Sequence, residues 1–194
     1  VMGDVSQNIR MDYGISDWEG VKNILLTGER DNFCVLRKSY RNTVEIANFA
    51  SDILAHGEFP GYGAEPVIRH GEAVGIRQTA GRDLYREAAK ICKGWQTDGF
   101  DTIAVICRDQ KQAQETAELL QKELPVMPWD PEKASFEKGI MVFPVEYTKG
   151  LEFDAVLLLS PDRESYPIDD GHAKLLYVAA TRALHRLELC LLYT

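Results

Sequence analysis

Hydrophobic and polar positions in this chain alternate between short unbroken apolar runs and longer stretches with one apolar face. Residues 102–107, 140–143 and 155–159 are continuous, short and rich in branched side chains, as strands buried on both faces of a parallel sheet are. Between such runs the period lengthens. Leu84, Ala88, Ile91, Cys92 and Trp95 line one face of a helix over 83–95, and Ala113, Ala117, Leu120 and Leu124 one face of a helix over 110–124. Ile46, Phe49, Ala50 and Ile53 form a third stripe, with Asn42 as its cap, Glu45 three residues on and Gly57 as its stop. Further upstream, Ser16–Glu19 has the form of a capping box opening a helix that carries Trp18, Val21, Ile24 and Leu25. The last third reads strand, turn, strand, helix, strand, with the helix over 174–184 and the final strand over 186–192. Strands alternating with helices predict an α/β fold with a mostly parallel sheet and helices on both faces.

Two regions break the pattern. Residues 57–81 carry many glycines and weak alternation, which predicts short edge strands or a hairpin. Residues 124–138 begin with two prolines and continue polar, and read as a loop.

Composition narrows the classes. An apolar fraction of 45% and a charged fraction of 27% are ordinary for a globular domain of 194 residues. The net charge of −8 is the wrong sign for a domain that grips nucleic acid mainly through phosphates, so any such contact needs a local basic patch. Cys34, Cys92, Cys107 and Cys190 show no paired spacing, and buried free thiols are the expected state. The four histidines (56, 70, 172 and 185) have no ligand spacing and are expected at the surface. The absence of a long apolar run points to the cytoplasm, and the opening Val1-Met2-Gly3-Asp4 reads as a cut through a larger protein.

Chemistry concentrates where the patterns meet. Thr148-Lys149-Gly150-Leu151-Glu152 forms a charged, glycine-containing turn between two apolar runs, and is expected at the strand end where open α/β sheets bind ligands. Arg182 follows the apolar stripe of the last helix, beside Thr181, as a candidate phosphate ligand. The sequence from Thr148 to Leu159, followed by L-L-Y-V-A-A-T-R-A-L, resembles motifs V and VI of superfamily 1 helicases of the UvrD/Rep type. Gly3-Asp4-Val5-Ser6-Gln7-Asn8-Ile9 resembles motif III of the same family, and Ser39-Tyr40-Arg41-Asn42-Thr43 its motif IV. The four lie in family order.

The resemblance implies the C-terminal RecA-like lobe, a P-loop NTPase-like second lobe often called 2A, over residues 15–194, with residues 1–14 a stub of the preceding lobe. It implies ATP with Mg²⁺ held mainly by an N-terminal lobe, because no G-x-x-x-x-G-K-[ST] occurs here. The chain alone is therefore expected to be inactive, and the large 2B insertion is absent. Arg182 becomes an arginine finger, a group whose presence is worth roughly 10³–10⁵ in rate. Arg41 becomes a second phosphate ligand, with Tyr40 against the adenine ring. Gln7 senses the γ-phosphate, Glu152 holds a ribose hydroxyl, and Gly150 permits close backbone approach.

Thr148 and Lys149 would face single-stranded DNA, with Tyr13 as a stacking residue, whereas Trp18 belongs to the core. An ordinary exposed lysine is the alternative for Lys149. Glu146 stands where the family usually has a histidine, and a carboxylate there opposes a phosphate backbone. Ser39-Tyr40-Arg41-Asn42-Thr43, the missing insertion, the acidic balance and the loss of stacking aromatics just beyond Ile9 also resemble HelD-like ATPases, which makes RNA polymerase the alternative partner to DNA.

Overall fold

The computed structural model describes residues 7, 20, 22, 23, 38, 39, 41–56, 65, 66, 69–81, 83–130 and 138–193. Tyr13, Trp18, Cys34, Tyr40 and the boundary between residues 14 and 15 lie outside them.

Eight strands and four longer helices are described. They are β1 (Lys38–Ser39), α1 (Val44–Ala55), β2 (Glu65–Pro66), β3 (Gly75–Ala80), α2 (Asp83–Thr97), β4 (Thr102–Cys107), α3 (Gln110–Leu120), β5 (Val126–Pro128), β6 (Gly139–Pro144), β7 (Phe153–Leu159), α4 (Asp170–Ala180) and β8 (Ala183–Tyr193). Strands β3 to β8 make one sheet in the order β3-β8-β7-β4-β6-β5, with every pairing parallel. The β1–β2 pair is a separate two-stranded parallel ribbon.

The unbroken apolar runs are central for the reason anticipated, because both of their faces are covered. Alternate residues Ile103, Val105, Val142 and Leu157 meet α2 and α3, which bring Ala88, Cys92, Ala117 and Leu120. Their neighbours Ala104, Ile106, Val156 and Leu158 meet α1 and α4, through Ile46, Ala50, Leu175 and Ala179. Burial pushes the thiols of Cys92 and Cys107 up to about 12 and that of Cys190 to about 11, as inert core thiols require.

Several expectations need correcting. The stretch after Leu124 contains β5, an edge strand whose Pro125 and Pro128 disguised it; an edge strand tolerates the missing donor. The 57–81 region does hold an edge strand, β3, which runs parallel to β8 and is not an arm of a hairpin. Residues 121–124 form a turn beyond α3 rather than its last coil. Residues 183 and 184 open β8 and are not helical.

The β6-to-β7 crossover is made by residues 145–152, where a 3₁₀ turn at Val145–Tyr147 replaces a helix. Among the described residues no helix is long and apolar enough to cross a membrane.

Candidate functional site

Arg41, Glu152 and Arg182, three of the residues singled out by sequence, meet at one lip of the sheet. Glu152 immediately precedes β7 and Arg182 immediately precedes β8, so both stand at the amino ends of adjacent parallel strands. The turn expected at the ligand-binding carboxyl ends is therefore on the opposite rim. The cause is the short crossover, which leaves β6 at its carboxyl end and has crossed the sheet by the time it reaches Gly150.

Arg182 is positioned by the end of α4. Thr181 is the C-cap and its amide donates to Tyr177 O at 2.9 Å. The Arg182 side chain then folds back, and its Nε donates to Val178 O at 3.0 Å, one of the carbonyls a helix end leaves unmatched. Its Nη1 donates to Leu151 O at 3.2 Å and its Nη2 to Thr181 Oγ1 at 3.2 Å. With 0% of its surface accessible it is the largest fully buried side chain among the described residues. A buried guanidinium is tolerated only when its donors are matched.

Arg41 approaches the same turn from the other side. Its Nε lies 2.5 Å from Glu152 Oε1, and the two side chains are 39% and 41% exposed. Leu151 thus receives Arg182 while the next residue receives Arg41, so two guanidinium groups converge on consecutive residues. They differ in availability. An exposed ion pair is worth about 0–1 kcal/mol, so Arg41 can be exchanged to another anion at little cost. Arg182 is committed to backbone carbonyls.

Near this lip, Asn42 has a role other than the one sequence suggested, and Arg69, to which sequence gave none, has a related one. Asn42 does not cap α1; Thr43 does, accepting from Ile46 N at 3.4 Å. Asn42 instead donates from Nδ2 to Thr181 O at 3.1 Å and to Ala183 O at 2.6 Å. Arg69 donates from Nη2 to the carbonyls of Arg41 and, at 2.7 Å, of Leu184. The segment around it is seated on the start of α1: Val44 N donates to Arg69 O at 3.0 Å, and Gly71 N to Glu45 Oε2 at 2.8 Å. A Cβ on Gly71 would lie 2.7 Å from Thr43 Cγ2, so only glycine fits that approach. His70 and the Gly71 amide together hold the Glu45 carboxyl down to about 2. No periodicity marks Asn42 or Arg69, because the contacts span more than a hundred residues of chain.

The remaining sequence-derived residues divide. Gly150 has φ +85°, with no protein atom within 4 Å of where a Cβ would stand, so the fold of the turn itself calls on glycine's backbone freedom. Thr148 cannot present its side chain to DNA: it is fully buried, and its Oγ1 donates to Val145 O at 2.7 Å, closing the 3₁₀ turn. Lys149 and Glu146 are exposed, and Gln7 is half-buried. Tyr147, 43% exposed, packs against Trp129 with the rings tilted by 31° and their centroids 3.8 Å apart, an aromatic pair that sequence spacing could not join. Tyr40 and Tyr13 are outside the described residues.

The carboxyl rim has its own polar cluster, at the crevice between β4 and β7 where the chain's crossovers part in opposite directions. Arg108 donates from Nε to Ser165 O at 2.9 Å and from Nη2 to His172 Nε2 at 3.1 Å. Since arginine only donates, His172 carries its proton on Nδ1 and gives it to Asp169 Oδ2 at 2.6 Å. The amide of His172, then its ring, hold the Asp169 carboxyl below the usual range. His172 is therefore not the surface residue expected: at 18% side-chain exposure it ties the N-cap of α4 to the end of β4.

Among the described residues no cluster of histidine, cysteine and carboxylate could hold a metal ion.

Comparison with known proteins agrees with this architecture. In fold the chain is similar to the C-terminal domain of a possible DNA helicase from Lactobacillus plantarum WCFS1, with a TM-score of 0.66 and 24% identity, covering 79% of this chain and 88% of that one. That likeness bears on the mostly parallel, RecA-like architecture. No curated protein matches. The family model of the UvrD-like helicase C-terminal domain matches residues 139–190, from β6 through the turn at Gly150 and the end of α4 into β8. Across that segment the chain is similar to UvrD-like helicase C-terminal domains.

Proposed function

We propose that this chain is the C-terminal motor lobe of an ATP-dependent superfamily 1 DNA helicase, and that the amino-end lip of β7 and β8 is the face it offers to ATP held by an N-terminal lobe. The observation that carries the reading is the convergence of Arg41 and Arg182 on Glu152 and Leu151. A polyphosphate bound against this lip competes with Glu152 for Arg41, and the freed Glu152 carboxylate is then an acceptor for a ribose hydroxyl. Arg182 sits one residue behind. It reaches a phosphate only by exchanging its bonds to Leu151 and Val178, so its first role is to hold the turn that carries Glu152. ATP with Mg²⁺ would bring the phosphate charge these two cations answer. Gln7 and Tyr40 are the sequence-derived candidates for sensing the γ-phosphate and covering the base. Hydrolysis would let the lobes part, so that closure and opening move a single strand past Lys149.

The test is ATP turnover of the intact protein with and without single-stranded DNA. We expect stimulation by DNA, and a fall on the order of 10²-fold in kcat for Arg41→Ala, the loss typical of one group that stabilises transition-state charge. Unchanged turnover in Arg41→Ala removes the lip from the mechanism. Turnover indifferent to DNA, together with capture of RNA polymerase, favours the HelD-like alternative.

A further inference from the structure

We propose that Asn42 is a positioning residue that fixes the backbone on both sides of Arg182 and thereby sets Arg41 and Arg182 at one separation. The proposal rests on the reading above, that both arginines serve one nucleotide, but its geometry stands without it.

Asn42 is 6% exposed and follows Arg41 directly. Both hydrogens of its side-chain amide are spent on carbonyls, those of Thr181 and Ala183, which flank Arg182 in the chain. Both acceptors being carbonyl oxygens, the amide nitrogen must face them, and the orientation of the amide is decided by chemistry. The joint it grips is the point where α4 stops and β8 starts. Thr181 has φ −73° and ψ 0°, and there the carbonyls have left the helix ladder. Unmatched, those buried carbonyls would cost about 1–3 kcal/mol each or draw in water, and the joint would loosen.

Arg69 adds a second tie of the same kind, between the carbonyls of Arg41 and Leu184. Three carbonyls of the 181–184 joint are thus held from the Arg41 side, by donors that no neighbouring residue type replaces. Serine at position 42 donates once, aspartate not at all.

The chemistry makes this placement matter. A permanently charged planar fork stabilises a transferring phosphoryl group only when held within a fraction of an ångström. Neither arginine fixes its own backbone. Arg41 is on an exposed turn, and Arg182 ends a helix, so the distance between them is set by whatever joins those two segments. Thr43 already caps α1, which leaves the Asn42 amide for that work.

The experiment uses the intact protein and two readouts. Hydrogen exchange without nucleotide should show residues 178–185 of Asn42→Ala exchanging about 10-fold faster than wild type, with β4 unchanged as the internal reference. ATP turnover of Asn42→Ala should fall about 10-fold in kcat with KM for ATP moved far less, and Asn42→Ser, keeping one donor, should lie between. Combined with Arg41→Ala, Asn42→Ala should add little, since both act through one arrangement.

Exchange at 178–185 that matches wild type overturns the proposal, whatever turnover does. So does a full multiplicative effect in the double variant, or faster exchange of β4 in parallel with 178–185 in Asn42→Ser, since either marks general loosening. If Arg41→Ala leaves turnover intact, the nucleotide reading falls, and the exchange data still decide whether Asn42 holds the joint.

Discussion

Gly150 shows how one residue's identity can answer a demand beyond the one read from sequence. The turn was expected to need glycine so that backbone could approach a ligand closely. In the structure its φ is +85° and no heavy atom stands within 4 Å of a built Cβ. The turn's own requirement is conformational: an L side chain in the left-handed region costs roughly 1–2 kcal/mol, and asparagine less than alanine. Gly150→Ala should lower stability by about that amount and Gly150→Asn by less, read from the urea midpoint at unchanged m. A loss well above about 2 kcal/mol would mean that the added methyl meets something solid. Asn42 and Thr43 carry the same lesson. Both are good helix caps by residue type, and only the tertiary demand for an amide beside Thr181 decides that the second one caps.

What was legible at the level of strands and helices follows from local physics. Residues 102–107 and 155–159 announced themselves because a strand covered on both faces is apolar throughout, and α2 and α3 because their stripes recur at helical spacing. Arg182 was legible beside Thr181, and Arg41 and Glu152 through their resemblance to known motifs; the resemblance implied that both arginines serve one nucleotide, but not that they meet at Leu151 and Glu152 on the amino rim. β5 was invisible, since three residues with a proline at the end leave no period to read. The rim on which the turn stands was also hidden: it depends on residues 145–152 crossing the sheet without a helix, and length alone does not tell a crossover from a loop. The ties of Asn42, Arg69 and His172 are long-range and polar, and leave no mark in hydrophobic patterning. The centre-to-edge order of the sheet gives a direct check. Leu157, with 0% of its surface exposed in a strand flanked on both sides, should cost about 2–5 kcal/mol on truncation to alanine. Ile76, 58% exposed on edge strand β3, should change stability by no more than about 0.5 kcal/mol. Equal losses from the two in urea unfolding would contradict the strand order.

Taken whole, the chain carries −8 on 194 residues, and this constrains how it can serve a DNA motor. A field of that sign repels a strand, so attraction must come from a few cations at short range, within a Debye length of about 8 Å at physiological salt. Among the described residues, Arg41 is engaged by Glu152, Arg69 by two carbonyls, Arg108 by Ser165 and His172, and Arg186 by Glu72. Lys149 is exposed on the turn at Gly150, two residues from Tyr147, which packs on Trp129 and is 43% exposed. If Lys149 meets one phosphate of the single strand, Lys149→Gln should weaken binding by the intact protein and reduce the slope of log K against log salt by about 0.7, the share of one phosphate on single-stranded DNA. Tyr147→Ala should instead weaken binding at every salt concentration with the slope unchanged, because stacking releases no counterions. A slope that stays the same in Lys149→Gln removes this turn from the track and leaves the lobe's contribution to the nucleotide lip alone.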